Sequence, residues 1–462
     1  MMRRCRMALC ARQAERIRVA VCVLAGALLA SAALASEAPS SLSLAQAVDA
    51  ALRNHGTVLI AGRQVSQAES GLTIARSSYW PQLLADWQYT FTDSRGGRRF
   101  TTLGGIPVGV GGSQEQHQTT LATSYTVFDS GLRNARLHEA HASLDSAASA
   151  LDSARVTLSF RAASDFMALL QQQRTVQLAR ERVEQSRGHL ALVEARIDAG
   201  LAANVDRFPL EAELAQAQLG LVTAQNQVGQ AGITLRNTMG LAAGPGFEAQ
   251  EPPTTPEVSS LPSLEQALPA ANRLRPDLLE GEAAVRVAAA SLEQAQVSAR
   301  PVLSVGTTYV VKAEPAPSGK EAVLDAQMTF PIFDAGLRRA QASAARDNLE
   351  AAQIRLSQLQ KDAGAQVAQA RLAVTTAWER ITASAVSVNA ARQSLESAEA
   401  RYKAGLAIPI EITDAQVSYY NAQLDAAAAH YDYFTALAAL RNAVGLPTRD
   451  FKDLGEASIL QP

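Results

Sequence analysis

The chain has 462 residues, of which 47% are hydrophobic, 19% are charged and only 5% are aromatic. Ala and Leu dominate the apolar residues and are mixed with Gln, Ser, Glu and Arg, which is typical of long helices and argues against an α/β enzyme. The formal net charge is −2, and it becomes −7 without the first 35 residues, which argues against nucleic acid as a partner. We therefore expect a large, mainly helical body.

The first 35 residues have the pattern of a secretory signal peptide. Six arginines precede an uncharged stretch over 19–34, and Ala33-Leu34-Ala35 matches an A-x-A cleavage site. The apolar run of about 16 residues is short for a membrane anchor. All three cysteines lie in this leader, so the mature chain is expected to have neither a disulfide nor a lipid-bearing cysteine. Its 36 basic and 43 acidic residues give a net charge of −7.

The rest of the chain carries the same pattern twice. Residues 43–47, Ser-Leu-Ala-Gln-Ala, return 220 residues later at 263–267 as Ser-Leu-Glu-Gln-Ala. Residues 128–133, Phe-Asp-Ser-Gly-Leu-Arg, return 205 residues later at 333–338 as Phe-Asp-Ala-Gly-Leu-Arg. The difference of 15 residues falls in a glycine-rich segment between the two motifs, where a loop tolerates a change of length. The chain is therefore predicted to be an internal duplication.

This duplication divides the sequence into five predicted segments. They are a signal peptide over 1–35, a first structural repeat over 36–241, a linker over 242–262, a second structural repeat over 263–447 and a C-terminal tail over 448–462. Each repeat is predicted to contain, in chain order, a helix, two strands, a long helix, a tight turn and a further helix.

The two strands of each repeat are predicted over about 83–128 and 303–333. From Leu83 onward, apolar and polar residues alternate over about ten residues, the length that a tilted strand needs to cross a bilayer. A half-buried hairpin of a soluble β-domain is the alternative interpretation. The candidate membrane-facing aromatic residues are Trp87, Tyr89, Phe91, Tyr125, Tyr309 and Phe330.

Four strands are too few to close a barrel, because the smallest membrane barrels have about eight. After residue 35 no uninterrupted apolar run approaches about 18 residues, so strands are the candidates for any membrane crossing. A membrane-spanning role therefore requires several chains to pool their strands, and we predict an oligomer.

Two long helices follow the strands, over about 132–197 and 337–402. Each has about 66 residues without a proline, which corresponds to about 100 Å. Apolar residues recur every seven positions and predict packing against neighbouring helices. They are Leu137, Leu144, Leu151, Leu158, Ala162, Leu169, Val176, Val183, Leu190 and Ile197 in the first helix, and Val367, Val374, Ile381, Val388, Leu395 and Tyr402 in the second. Shorter helices over about 44–79 and 210–239 are expected to stack end to end along the long one.

A tight turn follows each long helix, at Gly200-Leu201 and at Gly405-Leu406. Glycine at a helix C-terminus supplies the left-handed conformation that ends the helix. The next acidic residues are Asp206 in the first repeat, and Glu411 and Asp414 in the second. These acids either cap the next helix at its positive end or form a charged constriction, and the two roles are compatible.

In the order and duplication of its motifs, the mature chain resembles the TolC family of outer-membrane efflux proteins. The motifs are the Leu-x-x-Ala-x-x-x-Ala-Leu helix over 44–52, Tyr79-Trp80-Pro81-Gln82-Leu83 before the first strand, the segments 127–131 and 332–336 before the long helices, and Ala400-Arg401-Tyr402-Lys403-Ala404-Gly405 followed by Glu411 and Asp414. The resemblance implies a mainly α fold with a small membrane β part. A trimer would pool four strands per chain into a 12-stranded β-barrel, continued by a long α-helical coiled-coil barrel.

The resemblance also implies a function. The expected protein is an outer-membrane channel of a tripartite efflux or type I secretion system, with its helical part in the periplasm. Its expected partners are two further copies of itself, outer-membrane lipid, a periplasmic adaptor and an inner-membrane pump of the RND or ABC type. The inner end would be closed by inward coiling of the second-repeat helices and would open when adaptor and pump dock.

The site residues carried over from the resemblance lie around the turns. Glu411 and Asp414 match acidic positions at the periplasmic entrance, where they would favour cations. Asp206 and Tyr402 match positions that hold neighbouring helices closed. Ala407 stands where the best-known member has an arginine, so this contact is incomplete here, and Lys403 is a candidate substitute. The expected adaptor-facing residues are Gly200, Leu201, Gly405 and Leu406.

An enzyme and a periplasmic coiled-coil scaffold or adaptor are the competing interpretations. Only His138 and His141, of six scattered histidines, lie one helical turn apart, and no third ligand is near them in sequence. The sequence contains no phosphate-binding loop or nucleophile elbow, so neither an enzyme activity nor a cofactor or metal is expected. A scaffold would account for the leader and the heptads but not for two amphipathic hairpins. The cargo, whether drug, metal ion or protein, is not encoded in these patterns.

Overall fold

The computed structural model describes residues 41–93, 99–103, 106–110, 113–244, 246–252, 262–313 and 319–454. The predicted signal peptide, parts of the glycine-rich segment, the middle of the predicted linker and the end of the C-terminal tail lie outside these described residues. Within them the chain is mainly helical, with one four-stranded sheet and two short two-stranded pairings.

The first half of the chain, residues 41–244, contains two consecutive helices, a hairpin, a long helix and a returning helix. Its strands are β1 (Ser41–Leu42), β2 (Gln82–Asp93), β3 (Arg99–Leu103), β4 (Ile106–Val110) and β5 (Ser113–Phe128). Its α-helices are α1 (Leu44–Asn54), α2 (Gly56–Ser77), α3 (Leu132–Asp198) and α4 (Arg207–Thr238).

The second half, residues 246–454, has matching elements in the same order. They are β6 (Glu248–Ala249), α5 (Leu264–Leu274), α6 (Pro276–Val297), β7 (Val302–Ala313), β8 (Gly319–Thr329), α7 (Leu337–Lys403) and α8 (Pro409–Val444). The first and second helices, the first long strand and the long helix contain 11, 22, 12 and 67 residues in both halves. These element bounds follow the offsets of 220 and 205 residues found in the sequence.

One extended residue breaks the opening helix of each half, which corrects the single helix predicted over 44–79. His55 adopts φ −71° and ψ 131°, and its Nδ1 accepts a hydrogen bond from the Thr57 N–H at 3.2 Å. Arg275 has a similar conformation in the second half, where Pro276 begins the next helix. The Nδ1 cap satisfies one of the N–H groups that the start of a helix leaves without a partner.

The four long strands form one antiparallel sheet in the order β2-β5-β7-β8. Directly opposed residues share a face of a sheet. One row across all four strands contains Ala85, Leu121, Tyr309 and Ala322, and the adjacent row on the opposite face contains Asp86, Thr120, Val310 and Glu321. The predicted alternation thus gives the sheet one mainly apolar face and one more polar face.

The long helices α3 and α7 are the scaffold against which the shorter helices pack. Near the sheet, α3 contacts α6 through the ion pair between Asp145 and Arg286, 3.1 Å apart. In the same region α6 also contacts α7, and farther from the sheet α3 contacts α4 and α8, and α7 contacts α8. Most of the heptad positions are buried, including Ala162, Leu169, Val176, Val183, Val367, Val374, Leu395 and Tyr402. This burial agrees with the predicted packing of the heptads against neighbouring helices.

The main hydrophobic core lies where β1, α1, the middle of α3 and the C-terminal part of α8 meet, and Phe166 and Leu437 are fully buried there. A second, smaller core lies beside the two turns and includes Val193, Tyr402 and Ile412. This smaller core fixes the ends of the helices around the turns. None of the helices in the described ranges has both the length and the hydropathy to cross a membrane.

Candidate functional site at the helix turns

The turn after each long helix has the same backbone geometry. Gly200 and Gly405 have φ angles of 70° and 74°, in the left-handed region that glycine adopts without strain. The N–H groups of Leu201 and Leu406 each donate to the carbonyl five residues earlier at 2.8 Å, which completes a Schellman-type helix end. Both leucine side chains are largely exposed, at 70% and 71%. The turns therefore present two matching apolar tips to the surroundings.

Tyr402 is the central buried side chain at this end of the molecule. The Arg196 guanidinium lies over its ring, 4.7 Å from the centroid, and Arg196 Nη1 donates to the Tyr402 carbonyl oxygen at 2.6 Å. Burial raises the pKa of the Tyr402 hydroxyl, Arg196 opposes this shift and the charge of Asp206 adds to it. That hydroxyl has no hydrogen-bond partner among the described residues. The structure thus brings Asp206 and Tyr402 into electrostatic range without a hydrogen bond between them.

Arg196 was not among the residues singled out from the sequence, although it contacts the backbone of Tyr402 and Lys403, two residues that were. The Lys403 ammonium lies 3.9 Å from Glu399 on its own helix. Arg196 instead reaches from the first half to the second, across a separation of 206 residues. One signal in the sequence could have identified it, because Arg196 and Arg401 lie 205 residues apart and occupy the same position before the two turns.

The acidic residues after the turns have different surroundings. Asp206 precedes α4, and its Oδ2 accepts a hydrogen bond from the Ala203 N–H at 3.2 Å, but its side chain makes no capping hydrogen bond to α4. Glu411 lies in the first turn of α8, and its Oε2 accepts from Arg401 Nη1 at 2.8 Å. Asp414 is exposed one turn later. Of the three carboxylates, Asp414 is the one most accessible to a passing ion.

A group of polar side chains, here called the polar seam, joins the two halves close to the turns. It consists of Ser186, His189, Glu399 and Gln416. His189 on α3 lies 3.0 Å from the Gln416 side-chain oxygen on α8 and 3.2 Å from a Glu399 carboxylate oxygen on α7. The Gln416 amide nitrogen donates to the Ser186 hydroxyl at 3.1 Å, and Gln416 is only 1% exposed. Three helices therefore meet at side chains that hydrogen-bond to one another, close to the smaller apolar core.

The first half also contains an almost fully buried ion pair. Two nitrogens of Arg182 on α3 donate to the same carboxylate oxygen of Glu213 on α4, at 3.0 and 2.7 Å. The two side chains are 13% and 7% exposed. The Arg182 guanidinium also lies over the ring of Tyr420 on α8, whose pKa is raised by burial and lowered to a smaller extent by this cation. This pair ties α3 firmly to α4.

The six aromatic residues predicted to face a membrane are exposed on or next to the sheet. Five of them lie in strands, and Phe330 follows the last residue of β8. Their exposed fractions are 67% for Trp87, 46% for Tyr89, 53% for Phe91, 37% for Tyr125, 38% for Tyr309 and 56% for Phe330. His117, which the sequence did not single out, lies between the Tyr89 and Trp87 rings, with centroid distances of 5.0 and 6.1 Å. Its position opposite Tyr89 follows from the strand register.

The Nδ1 of His138 lies 3.6 Å from a carboxylate oxygen of Glu293 on α6. Across the described ranges, no group of three or more His, Cys, Asp or Glu side chains is arranged to hold a metal ion.

Comparison with known proteins places these features in context. The family model described as outer membrane efflux protein matches residues 47–241 and 267–446. The pyoverdine export outer membrane protein OpmQ of Pseudomonas putida is 25% identical over 421 residues, covering 88% of this chain and 86% of its own length. A crystal structure of CusC has a TM-score of 0.75 at 18% identity, covering 87% of this chain and 92% of that one. The open-state MtrE outer membrane channel of Neisseria gonorrhoeae has a TM-score of 0.72 at 20% identity, covering 88% and 90%.

Proposed function

The chain belongs to the outer membrane efflux protein family, and from this premise we propose that three copies of it assemble into one continuous exit duct. The chain is an outer-membrane channel protein of an efflux system, and its helical part lies in the periplasm. The family and the similar structures are channel proteins and not enzymes. The number of copies, the closed barrel, the acidic entrance and the docking of partners at the turns make up the proposal.

The open sheet is the observation that supports the oligomer most strongly. Within the described ranges, neither β2 nor β8 has a partner on its outer edge. An unpaired backbone N–H or carbonyl costs several kcal/mol in hydrocarbon, because no water is present to bond it. Pairing β8 of one copy with β2 of the next satisfies both edges, and three copies give the 12-stranded barrel that the resemblance implies.

The two faces of the sheet match the two environments of such a barrel. The apolar face carries the exposed aromatic residues and would contact outer-membrane lipid, whereas the face with Asp86 and Glu321 would line the duct. A chain with these faces exchanged would place carboxylates in lipid, which is costly at the depth of the hydrocarbon.

The helix turns are proposed as the entrance and as the docking site for partners. Proteins of this family work with periplasmic adaptors and inner-membrane pumps, and for this chain a pump of the RND or ABC type is proposed. The exposed Leu201 and Leu406 side chains would contact the adaptor. Glu411 and Asp414 from each of three copies would place a ring of carboxylates around the axis and favour cations, with Glu411 partly neutralised by Arg401.

Cell fractionation followed by native electrophoresis tests the proposed assembly. We expect the full-length protein in the outer-membrane fraction as a trimer that dissociates on heating in detergent. Recovery as a soluble periplasmic protein would support the scaffold alternative and contradict the duct.

Ion selectivity in planar bilayers tests the proposed entrance. Replacing Glu411 and Asp414 together by Ala is expected to reduce the preference for cations over anions. The control variant replaces Glu181 and Glu194, two exposed acidic residues on α3, by Ala. It measures the effect of losing negative charge alone. Unchanged selectivity in the Glu411 and Asp414 variant would contradict the acidic entrance.

A further inference from the structure

Arg196 and Arg401 occupy the same position in two helices of equal length. Each lies four residues before the glycine of its turn, and α3 and α7 both have 67 residues. The backbone of the two turns is also the same, as the φ angles of Gly200 and Gly405 demonstrate. Two equivalent arginines in equivalent surroundings would be expected to make equivalent contacts.

Their contacts nevertheless differ. Arg196 leaves its own half and donates to the carbonyl oxygens of Tyr402 and Lys403, at 2.6 and 3.5 Å. Arg401 stays in its own half, where it donates to Glu411 at 2.8 Å and to the Leu406 carbonyl at 3.4 Å. The Arg401 side chain is 54% exposed. Only one of the two arginines therefore joins its turn to the next one.

The offset of 205 residues identifies what Arg401 would contact if it behaved like Arg196. The residues equivalent to Tyr402 and Lys403 are Ile197 and Asp198, the last two residues of α3. In a ring of copies, first and second halves alternate, so the half beyond α7 is the first half of the next copy. Asp198 is exposed and brings a carboxylate to the place where the second half has the Lys403 ammonium. The charge of Asp198 is therefore complementary to Arg401.

The packing of the helices supports the same neighbour. Within one chain α8 packs against α3, which joins the second half to the first. The equivalent contact between copies would join α4 of the next copy to α7. Both helices carry large apolar side chains that are exposed in the single chain, among them Phe208 at 54% and Val222 at 63% on α4, and Val386 at 67% on α7. A second copy of the chain would cover these side chains.

We propose that Arg401 alternates between two carboxylates, Glu411 of its own chain and Asp198 of the next copy. This inference rests on the proposed ring of copies and adds to it a named contact between neighbours. When Arg401 binds Asp198, it ties the second-half turn to the next copy and leaves the Glu411 carboxylate unpaired at the entrance. Exposed ion pairs of this kind are individually weak, so the exchange is readily reversible. Arg401 thereby couples the position of the turn to the charge of the entrance.

Thiol cross-linking tests whether the two residues meet, and all native cysteines lie in the leader. The variant Arg401→Cys with Asp198→Cys, treated with a short bifunctional thiol reagent, is expected to give covalent dimers and trimers on a denaturing gel. The matched control, Arg401→Cys with Glu181→Cys, places the second thiol on the same helix about 25 Å farther from the turn and is expected to give none. Native gels of the same samples report the trimer independently.

Charge exchange tests whether the contact is an ion pair. Asp198→Arg is expected to lower the temperature at which native trimers dissociate, because two arginines then face each other. Arg401→Asp combined with Asp198→Arg is expected to restore that temperature. In contrast, Arg401→Asp combined with Glu411→Arg restores only the contact within the chain, because the aspartate introduced on α7 then faces the native Asp198 carboxylate of the next copy.

The outcomes separate this inference from the proposed function. Two results would overturn the role of Arg401 and leave the duct intact. One is native trimers that cross-link no more than the Glu181 control. The other is full recovery of trimer stability in the variant Arg401→Asp with Glu411→Arg. Absence of trimers would overturn both.

Discussion

The two long helix pairs, α3 with α4 and α7 with α8, have long helices of the same length and differ in what holds each pair together. In the first pair, Arg182 and Glu213 form a buried ion pair. The equivalent positions in the second pair are Ser387 and Ser418, which cannot form one. The second pair is joined instead to the first by hydrogen bonds of Gln416 and contacts of His189. The first pair thus contains a buried ion pair, whereas the ion pairs that join α7 to α8, Arg380 with Asp432 and Arg401 with Glu411, are more exposed.

The halves are alike where the helices break near the main core. A methyl group on Gly240 would lie 2.8 Å from the Asn54 backbone, and one on Gly445 would lie 2.6 Å from the Arg275 backbone. Both glycines also have positive φ angles, 68° and 95°. The two halves thus share this junction and differ in the side-chain contacts around the turns.

The largest expected effect comes from breaking the buried ion pair. Glu213→Ala leaves the Arg182 charge unpaired in a mostly buried site, which costs about 3–5 kcal/mol of folding stability. Ser418→Ala, the equivalent change in the second pair, is expected to cost less than about 0.5 kcal/mol. Denaturant unfolding of the purified protein in detergent measures both. Equal effects of the two substitutions would remove the distinction between the pairs.

The next largest effect is expected at the shared junction. Gly240→Ala and Gly445→Ala each force a side chain into the left-handed region and against backbone atoms, which costs about 1–3 kcal/mol for the backbone conformation alone. Because both glycines make the same kind of close approach, the two variants should lower the melting temperature to similar extents. Gly229→Ala on α4, where no atom lies within 4 Å of the added carbon, is the control. If Gly240→Ala lowers the melting temperature and Gly445→Ala does not, the two junctions are not equivalent.

The seam between the halves is expected to contribute less. Gln416→Leu removes the hydrogen bonds to Ser186 and His189 and leaves the buried Ser186 hydroxyl without this partner, at a cost of about 1–3 kcal/mol. Asn421→Leu, an exposed change on the same helix, controls for the altered hydropathy. Comparing the melting temperatures of the two variants checks the prediction. If Gln416→Leu is no less stable than the control, the seam is not a stabilising contact.

The smallest effect in this series is expected where the strands lead into the long helices. Asp129 is 8% exposed, and its carboxylate accepts hydrogen bonds from the N–H groups of Gly131 and Arg133, so Asp129→Ala is expected to cost about 0.5–2 kcal/mol. Asp334 makes the same contacts with Gly336 and Arg338 at a more exposed site, and its removal should cost less. Thermal melting of the two variants ranks them. The reverse order would contradict the ranking by burial.

The sequence predicted the large features well because they rest on repeated local patterns. The heptads placed α3 over 132–197, and the structure has Leu132–Asp198. Strand alternation likewise placed the apolar and polar rows that the register aligns. A break at a single extended residue leaves no such periodic trace, so the interruption at His55 was missed, although Pro276 marks the equivalent place in the second half.

The side-chain contacts of the candidate site could be predicted only in part. Tyr402 and Asp206 were singled out and lie within electrostatic range of each other. The pairing of Arg196 with the Tyr402 carbonyl joins residues far apart in the chain, and no local pattern encodes which arginine reaches across. The ion pair between Glu411 and Arg401 depends on how the turn folds back, which the sequence does not specify.

In the proposed duct, we expect the second-half turns to move relative to the first-half turns when the entrance opens. Ion current through the protein in a planar bilayer tests this most directly, using Arg196→Cys with Lys403→Cys and a reducible thiol cross-linker that bridges the two turns within one chain. We expect a current that falls when the turns are bridged and returns after reduction, whereas single-cysteine variants are unaffected. A bilayer without current, or a current that does not respond to the bridge, would contradict the account.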